Sequence, residues 1–328
     1  MSVSAPKVTV VIPNWNGRAH LPECLAALQE QTLRNFEVVL VDNASTDAGV
    51  EWVRAHHADV RVHRLSSNRG FAAAVNCGIR VARGEYVALL NNDAVPEPRW
   101  LEELLTALER RRDYSFAASL LVFYADPCRV NAAGDVYDVL RLVGRNRGFG
   151  RPADGYQEAR RVLGACAGAA LYRRSLFTAV GLFDEDFFLM SEDTDFNLRC
   201  LVAGKRCLYV PAARVRHKFR ASIDAESEWP MTRLAFRNEA MVAAKDLPAP
   251  ILVLLPLIWP WRLLRETVLM RPERRRPLAV QLRRAPLIVR AELDGICRGL
   301  AKRGDVWRRR AAPHGQIVRW LVKGTGPA

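Results

Sequence analysis

The sequence lacks several patterns that would assign it to a well-defined class of protein. Its seven cysteines, at positions 24, 77, 128, 166, 200, 207 and 297, form no CxxC pair and no zinc-binding spacing. An odd number of cysteines also argues against a disulfide framework. There is no low-complexity run, and the first strand pattern begins at Lys7 without a preceding signal-peptide hydrophobic region. We therefore expect a reduced, intracellular protein.

Two common nucleotide-binding fingerprints are also missing. No GxGxxG follows the first apolar run, and no GxxxxGK followed by Ser or Thr occurs anywhere in the chain. These motifs bring backbone N–H groups to phosphates in dinucleotide-binding and P-loop proteins. A nucleotide bound by this chain must therefore be held in another way.

Positive charge is abundant but unevenly placed. The 328 residues carry a formal net charge of +14, and residues 251–328 contain 17 Lys or Arg against 5 Asp or Glu, which leaves 32 against 30 for residues 1–250. A basic segment favours an anionic partner, either a membrane or a nucleic acid. Aromatic residues do not alternate with the basic ones as a nucleic-acid platform requires. We expect an anionic membrane surface and no nucleic acid.

The first hundred residues alternate between strand and helix patterns. Apolar runs predict strands at residues 8–13, 36–42, 60–65 and 86–91, and helical spacing predicts helices at residues 21–28, 47–57, 71–83 and 100–110. An alternating order of this kind predicts an α/β fold, a mostly parallel sheet with right-handed crossovers and helices on both faces.

Polar residues collect where the predicted strands end. They are Asn14, Asn16 and Gly17 after the first strand, Asp42, Asn43 and Ser45 after the second, and Asn91, Asn92 and Asp93 after the fourth. In open α/β sheets ligands bind at this carboxyl edge. The helix that follows residues 68–70 should attract phosphate through its free N–H groups. Each piece alone also fits a turn or a helix cap.

Taken together, several motifs resemble the family 2 glycosyltransferases, in particular a bacterial rhamnosyltransferase-like branch that extends surface polysaccharides. The motifs are VVIPNWNG, CLAALQEQT, FEVVLVDNASTD, NRGFAAAVNCGIRVARGEYVALLNND and a later stretch from GAALYRRSLF to ARVRH, in roughly residues 7–218. The resemblance implies the GT-A fold, a nucleotide-diphosphate sugar donor and a divalent metal, Mg²⁺ or Mn²⁺.

The same resemblance assigns residues to the donor. Pro13 and Asp42 match positions that hold the base, with Asp42 accepting from the imide N–H of uracil or thymine. Gly70 and Asn76 match positions near the donor. Asn14 and Asn92, at the strand ends, complete the predicted nucleotide-sugar site.

The metal would be bound at the end of the fourth strand. Asp93 matches the last acid of the DxD motif, which binds the cation that bridges the two phosphates, whereas Asn91 replaces the first acid. Because the motif retains only one carboxylate, it stays open whether the protein needs a metal. His217 matches a histidine that approaches the metal or the diphosphate in some relatives. A turn-capping role for Asp93 and a structural role for His217 are the alternatives.

A second acidic motif, SEDTD at residues 191–195, precedes a predicted helix. Inverting sugar transfer needs a base that takes the proton of the acceptor hydroxyl. By resemblance Asp193 is that base, and Glu192 would orient the acceptor or shift the pKa of the base. The alternative is that both acids only cap the helix.

Two other regions suggest contacts outside the sheet. Residues 126–161 mix Gly, Arg and short apolar pieces, which is typical of a mobile lid. Arg141, Arg145 and Arg147 within it would either meet a phosphate-bearing acceptor or be solvated.

Residues 247–261 contain four prolines and no charge. As a helix they would span about 22 Å, less than the roughly 30 Å of a bilayer core. We expect interfacial contact on the inner face of the cell membrane, with Trp259 and Trp261 at the headgroups. A buried segment packed on the catalytic domain is the alternative. The apolar segment and the basic residues after it predict a catalytic domain at residues 1–245 and a membrane-associating helical extension at 246–328.

Three function classes follow. The first is an inverting glycosyltransferase that acts on a hydroxyl of a glycan, polyprenyl-linked and destined for cell-surface polysaccharide. The second is a nucleotidyltransferase, which should show a Gly- and basic-rich loop where this chain has IPNWNG. The third is a non-catalytic protein that binds anionic polymers. The ordered motifs favour the first.

Overall fold

The computed structural model describes residues 5–218, 228–255, 257–260 and 278–323. The strands are β1 (Val8–Asn14), β2 (Phe36–Asp42), β3 (Arg61–Arg64), β4 (Tyr86–Leu90), β5 (Ala94–Pro96), β6 (Phe116–Phe123), β7 (Val130–Ala133), β8 (Asp135–Asp138), β9 (Val143–Asn146), β10 (Arg160–Val162), β11 (Ala169–Arg173) and β12 (Cys207–His217). The helices are α1 (Leu21–Gln29), α2 (Gly49–His56), α3 (Gly70–Val81), α4 (Trp100–Arg110), α5 (Arg174–Val180), α6 (Glu192–Val202), α7 (Glu228–Asp246), α8 (Ala249–Leu252), α9 (Leu278–Arg308) and α10 (His314–Lys323).

The first four strands form the parallel part of the sheet. β1 lies between β2 and β4, and β3 lies outside β2, with all three pairs parallel. Residue Asn14 pairs with Asp42 at the end of the β1–β2 register, so the polar residues after both strands start from the same edge. The predicted strands and helices of this region are confirmed to within a few residues. The third helix ends at Val81 because Ala82 is extended.

Beyond β4 the sheet becomes mixed. β11 runs antiparallel between β4 and β6, β12 is parallel to β6, and the full order is β10-β12-β6-β11-β4-β1-β2-β3, with β5 on β12 and β7 on β6. The predicted α/β class is confirmed, and the parallel arrangement holds for β1 to β4 and for the β6–β12 pair.

Helices cover both faces of the sheet. α1 and α4 pack on one face, where α4 buries Trp100, Leu101, Leu104 and Leu108 at helical spacing. The other face carries α3, α5 and α6. Since both faces are covered, the central strands are apolar on both sides, and only their ends can present polar groups.

The prediction of an irregular lid at residues 126–161 was wrong. This region contains β7 to β10, and β8 and β9 form a separate two-stranded sheet. Arg141 and Arg145 lie 3.3 and 3.5 Å from Oδ2 of Asp138 in half-exposed ion pairs. The Arg147 guanidinium stacks over the ring of Tyr156 at 4.8 Å. The strands are too short for their apolar alternation to stand out in a Gly- and Arg-rich stretch.

The C-terminal helices form a third core with the small sheet. α7 packs against α6 and α9, and buried apolar side chains of α7, α9 and α10 meet Tyr137 and Leu142. Among the described helices, none combines the length and the apolar character needed to cross a bilayer. The predicted boundary between the catalytic domain and the C-terminal extension, at residue 245, falls at the end of α7. The division into these two domains stays a prediction.

The apolar segment at residues 247–261 has two kinds of side chain. Leu247, Ile251 and Leu255 are buried in this third core, whereas Val253 and Leu257 are exposed by 76% and 74%. The indole N–H of Trp259 donates to Glu292 of α9 at 2.8 Å, so this ring is engaged with the helices. Trp261 and the basic residues 262–276 lie outside the described residues.

Candidate functional site

A buried polar network joins the ends of β1, β2 and β4. The Asn92 side chain donates to Oδ1 of Asn14 at 2.7 Å, and the Asn14 amide in turn donates to Asp42 Oδ1 and Ser45 Oγ, both at 3.3 Å. A Cβ on Gly17 would come within 2.0 Å of the Asn92 amide, so the turn after β1 can close over the network only at a glycine. Three predicted donor residues, Asn14, Asp42 and Asn92, are therefore brought together.

Asp42 is the charged member of this network. Its carboxylate is fully buried, accepts from the Ser45 N–H at 3.2 Å, and lies 3.3 Å from Nε of Arg64. The predicted neighbour Pro13 precedes Asn14 on β1 and is partly exposed. Both carboxylate oxygens are thus engaged by protein groups, and the role of Asp42 at the base stays a prediction.

Asp93 and His217 meet at the end of β4. Nε2 of His217 lies 3.2 Å from Oδ1 of Asp93, and Nδ1 lies 3.0 Å from Oδ1 of Asn131. Burial opposes ionisation of Asp93, but the hydrogen bond with His217 and the nearby charges of His217 and His20 together outweigh it and lower the pKa of this carboxyl. This hydrogen bond needs a proton on Nε2 of His217, and a cation bound at that nitrogen would have to replace the proton.

These side chains fit a divalent cation that a diphosphate also ligates. Oδ1 of Asn91 is buried and accepts no hydrogen bond from a described residue, while its amide nitrogen lies 3.5 Å from His217 Nε2. Within the described part of the chain, no three His, Cys, Asp or Glu side chains converge as metal ligands. Mg²⁺ and Mn²⁺ prefer oxygen ligands and keep open positions, so phosphate oxygens would have to complete the coordination shell.

The second acidic motif begins α6, as predicted. Asp193 accepts from the Thr194 N–H at 2.7 Å and from the Ala167 N–H, and burial raises the pKa of its carboxyl. Glu192 is buried with Oε2 unpaired among the described residues, and burial followed by the Asp193 charge raises its pKa to about 8. Because more backbone N–H groups stabilise the Asp193 carboxylate than that of Glu192, Asp193 ionises first and Glu192 keeps its proton at neutral pH.

The two acidic motifs are connected through residues 166–168. The Gly168 carbonyl accepts from the Asn91 N–H at 2.9 Å, and the neighbouring Ala167 N–H donates to Asp193. The connection is short and lies at the edge where β11 pairs with β4. The end of β4 and the start of α6 therefore border one site.

The segment that leads to Asp193 has an unusual backbone. Phe188, Met190 and Ser191 have φ of 63°, 69° and 67°, the left-handed region that such residues rarely adopt. The Asn238 amide nitrogen of α7 lies 2.9, 2.9 and 2.7 Å from the carbonyl oxygens of Phe187, Leu189 and Met190. α7 thereby holds the strained segment in place.

Ion pairs reinforce this contact between the site and the C-terminal helices. Lys245 of α7 lies 2.6 Å from both Asp184 and Asp195, and Lys302 of α9 lies 2.6 Å from Asp184. Burial disfavours the Asp184 carboxylate, but the two lysines outweigh it and lower its pKa to about 2. The segment before Asp193 is thus bound at both of its ends.

Gly70 and Asn76 lie away from the polar network. Gly70 has φ of +84°, and a Cβ there would lie 2.2 Å from the Phe188 carbonyl. The Asn76 amide donates to the Phe183 carbonyl at 2.8 Å and to Glu185 at 3.0 Å. In this structure both residues contact the segment before Asp193, and their role at the donor stays a prediction.

The α3 N-terminus was expected to offer free N–H groups, and that expectation was wrong. The N–H of Arg69 donates to Asn43, that of Gly70 to Asn68, and that of Phe71 to the Phe188 carbonyl at 2.6 Å. Residues 184–190, which pack over this helix start, occupy the place that a phosphate would need.

Three residues of the site were not identified from the sequence. Asn131 contacts His217, and Asn238 holds the strained segment. Asp135 is buried, bonds Asn197 at 2.8 Å, and has a pKa raised well above its usual value by burial and by the nearby charge of Asp193. Asn131 and Asp135 belong to the stretch whose composition predicts a lid, and no local pattern marks Asn238.

Comparison with known proteins supports this interpretation of the motifs. The profile described as "Glycosyl transferase family 2" matches residues 9–181, which is more than half of the chain. The match contains β1 to β4, the Asp42 network and Asp93, and it ends before Asp193.

Sequence relatives include proteins of several bacteria. The chain is 30% identical over 249 residues to the uncharacterized protein y4gI of Sinorhizobium fredii, covering 71% of this chain and 27% of that protein. It is 34% identical to glycosyltransferase GlyG of Streptococcus pneumoniae over 32% of this chain and 36% of that protein. It is 26% identical to a PGL/p-HBAD biosynthesis glycosyltransferase of Mycobacterium bovis, over 60% of this chain and 71% of that protein. The chain thus spans less than half the length of y4gI and of GlyG.

Solved structures show the same fold. TarS of S. aureus (residues 1–349, with UDP) superposes with a TM-score of 0.54 at 18% identity, over 97% of this chain and 92% of that one. GalNAc-T7, with UDP, GalNAc and Mn²⁺, has a TM-score of 0.58 at 18% identity, over 73% of this chain and 48% of that one. These likenesses confirm the expected GT-A fold. With the profile match over residues 9–181, they show that the chain belongs to glycosyl transferase family 2.

Proposed function

We propose that the chain transfers a sugar, with inversion, from a nucleotide-diphosphate sugar to a hydroxyl of a glycan acceptor. The observation that carries the proposal is the position of Asp193. Its partly buried carboxylate is joined through Ala167 and Gly168 to Asn91, beside the Asp93–His217 pair. Base, cation ligands and donor network would then face one another, as a displacement at the anomeric carbon requires.

The acceptor hydroxyl would give its proton to Asp193. A base works best when its pKa lies near the operating pH, and burial raises the pKa of Asp193 toward that range. Glu192, neutral at pH 7, can donate a hydrogen bond to the acceptor without competing for the proton. Asp193 would be ionised before the acceptor arrives, since two backbone N–H groups already stabilise its charge.

The donor side would use the network at the sheet edge. Asp42 accepts from the N–H edge of the base, and Asn14 and Asn92 hold Asp42 and the turn after β1 in position. Asp93, with His217 and Asn91, would hold Mg²⁺ or Mn²⁺. When bound, such a cation neutralises the charge that develops on the departing diphosphate. UDP in TarS and UDP with Mn²⁺ in GalNAc-T7 are consistent with this assignment.

We further propose that the acceptor is a polyprenyl-linked glycan used in cell-surface polysaccharide, and that a rhamnosyl donor is among the candidates. The basic C-terminal region supports an acceptor that is held at an anionic membrane. The protein would then work at the inner face of the membrane. Leu254 and Leu257, exposed by 49% and 74%, are the side chains placed to contact lipid.

Sedimentation with anionic liposomes tests the membrane contact. Leu254→Ser/Leu257→Ser should reduce the bound fraction, because both side chains are exposed and neither takes part in the third core. Wild-type sedimentation of that variant would refute the contact. Trp259 is a poor probe, since its indole bonds Glu292.

The activity is tested with a panel of nucleotide sugars, with and without Mn²⁺. We expect one donor to raise the melting temperature and to be hydrolysed slowly, which releases the nucleoside diphosphate. If no donor binds or is consumed and the protein instead retains anionic polymers, the proposal fails.

A further inference from the structure

A cleft between α7 and α9 is not used by the site described above. It has a volume of about 810 Å³, within the range of roughly 300–1,000 Å³ typical of small-molecule sites. α7 contributes Arg233 and Arg237, which are four residues apart and share one helix face. α9 contributes Arg290 and Arg298 from the opposite wall. We call this cleft the arginine groove.

The positive charge in the arginine groove is only partly neutralised. Four arginines line it against one carboxylate, Asp294, which pairs with Arg298 at 3.0 Å. Among the described residues, no carboxylate lies within ion-pair distance of Arg233 or Arg290, and both are exposed. Burial, and then the charge of Arg298, lowers the pKa of Arg237. An anion in the groove would relieve this repulsion.

The walls of the groove are rigidly spaced. A Cβ on Gly295 of α9 would lie 2.0 Å from the Arg237 carbonyl, and one on Gly299 would lie 2.5 Å from the Met241 carbonyl. The two glycines let the helix backbones touch, which fixes the distance between the arginines above them. A guanidinium is planar and binds phosphate through two parallel N–H bonds, so a fixed set of arginines favours a phosphate group.

Apolar side chains accompany the arginines. Met231, Leu234 and Leu287 also line the groove, and Leu287 is 42% exposed. Free phosphate or a nucleotide has no apolar chain to cover such side chains. An amphiphile that combines a phosphate with a hydrocarbon chain does.

The groove also borders the catalytic segment. Nη2 of Arg237 donates to the carbonyl oxygens of Asp186 at 2.6 Å and Phe187 at 3.2 Å. The next residue, Asn238, bonds Met190, three positions before Asp193. A ligand held by Arg237 therefore lies beside the segment that positions the base.

We infer that the arginine groove binds the diphosphate of a lipid-linked acceptor and directs its sugar toward Asp193. This inference rests on the proposed function for the identity of the ligand as acceptor. The anion site itself does not depend on it. Arg233 and Arg290 supply the contacts to phosphate, and Leu234 and Leu287 receive the first part of the hydrocarbon chain.

Binding of farnesyl diphosphate to the full chain, measured by calorimetry, tests the inference. Arg233→Gln/Arg290→Gln should raise its Kd by at least about tenfold, because a charge-assisted hydrogen bond from one guanidinium to phosphate contributes on that scale. The matched control Arg110→Gln/Arg112→Gln removes two exposed charges from the end of α4 and should leave the Kd unchanged. Inorganic diphosphate should bind the wild type more weakly than farnesyl diphosphate.

Parallel titrations with UDP and dTDP, and with phosphatidylglycerol vesicles, separate the alternatives. Equal binding of farnesyl diphosphate by all three proteins, or an equal reduction in both double variants, overturns the inference. It also fails if the groove variant no longer binds the vesicles but still binds farnesyl diphosphate, since the arginines would then serve a general membrane contact. If the wild type binds farnesyl diphosphate through the groove but neither nucleotide, the proposed transfer fails while the anion site stands.

Discussion

The two halves of the site are held in different ways. The donor half, Asn14, Asp42, Asn92 and Asp93, stands at the ends of neighbouring strands and takes most of its contacts from the first 93 residues. The acceptor half, residues 184–193, has three residues at positive φ and depends on α7 and α9. A sheet edge supplies a rigid platform on its own, whereas a strained segment persists only when surrounding structure imposes it. Donor binding and turnover should therefore respond separately to mutation.

The largest expected effect is that of Asp193→Asn. The variant keeps the size of the side chain and one acceptor oxygen but removes its basicity, so turnover should fall by about 10²–10⁴-fold. Donor affinity should be unchanged, because the donor half is elsewhere. Steady-state kinetics with nucleotide titration measure both, and Asp59→Asn, an exposed aspartate, is the control. Wild-type turnover in Asp193→Asn would exclude it as the base.

Asn238→Ala removes the contact that α7 makes with the backbone of residues 187–190, while every residue of both halves stays unchanged. A displacement of the base by about 1 Å costs on the order of 10²-fold in rate, so kcat should fall while the KM for the donor stays constant. Gln157→Ala, which also deletes an amide bonded to a backbone carbonyl, should leave kcat unchanged. A loss of stability with an unchanged kcat would show that Asn238 is only structural.

Asp93→Ala tests the donor half. Mutation of a residue that hydrogen-bonds a metal ligand typically lowers metal affinity by about 10–100-fold. Loss of the metal ligand itself should therefore raise the Mn²⁺ concentration needed for half-maximal activity at least about tenfold. EDTA should abolish wild-type activity, and Asp113→Ala should behave as the wild type. Full activity in excess EDTA would mean that positive side chains replace the cation.

The smallest effect concerns the proton on Glu192. Since its folded-state pKa is raised to about 8, its contribution to stability is complete below the ordinary glutamate pKa and is lost as pH rises through about 8. The wild type should therefore lose more stability than Glu192→Gln between about pH 5 and about pH 8. Thermal unfolding across this range measures the difference. Parallel curves for both proteins would contradict the pKa assignment.

Local information was enough for the parallel part of the fold and for the donor half of the site. Periodic apolar runs identify β1 to β4 and their helices, and residues at the ends of adjacent parallel strands must meet at one edge. The predicted strand ends were therefore enough to bring four residues to one edge of the sheet, namely Asn14, Asp42, Asn92 and Asp93. The SEDTD motif likewise predicted that α6 begins with acidic residues.

The rest depended on contacts between distant segments, which no local pattern encodes. The amide of Asn238 reaches carbonyls about 50 positions earlier, Asn131 meets His217 across 86 positions, and Phe188 covers the N-terminus of α3. Residues 126–161 became strands because they pair with β6, β12 and each other, although their own apolar pattern is weak. Such pairings are selected by burial and hydrogen bonding over the whole molecule, so they emerge only when the chain is folded.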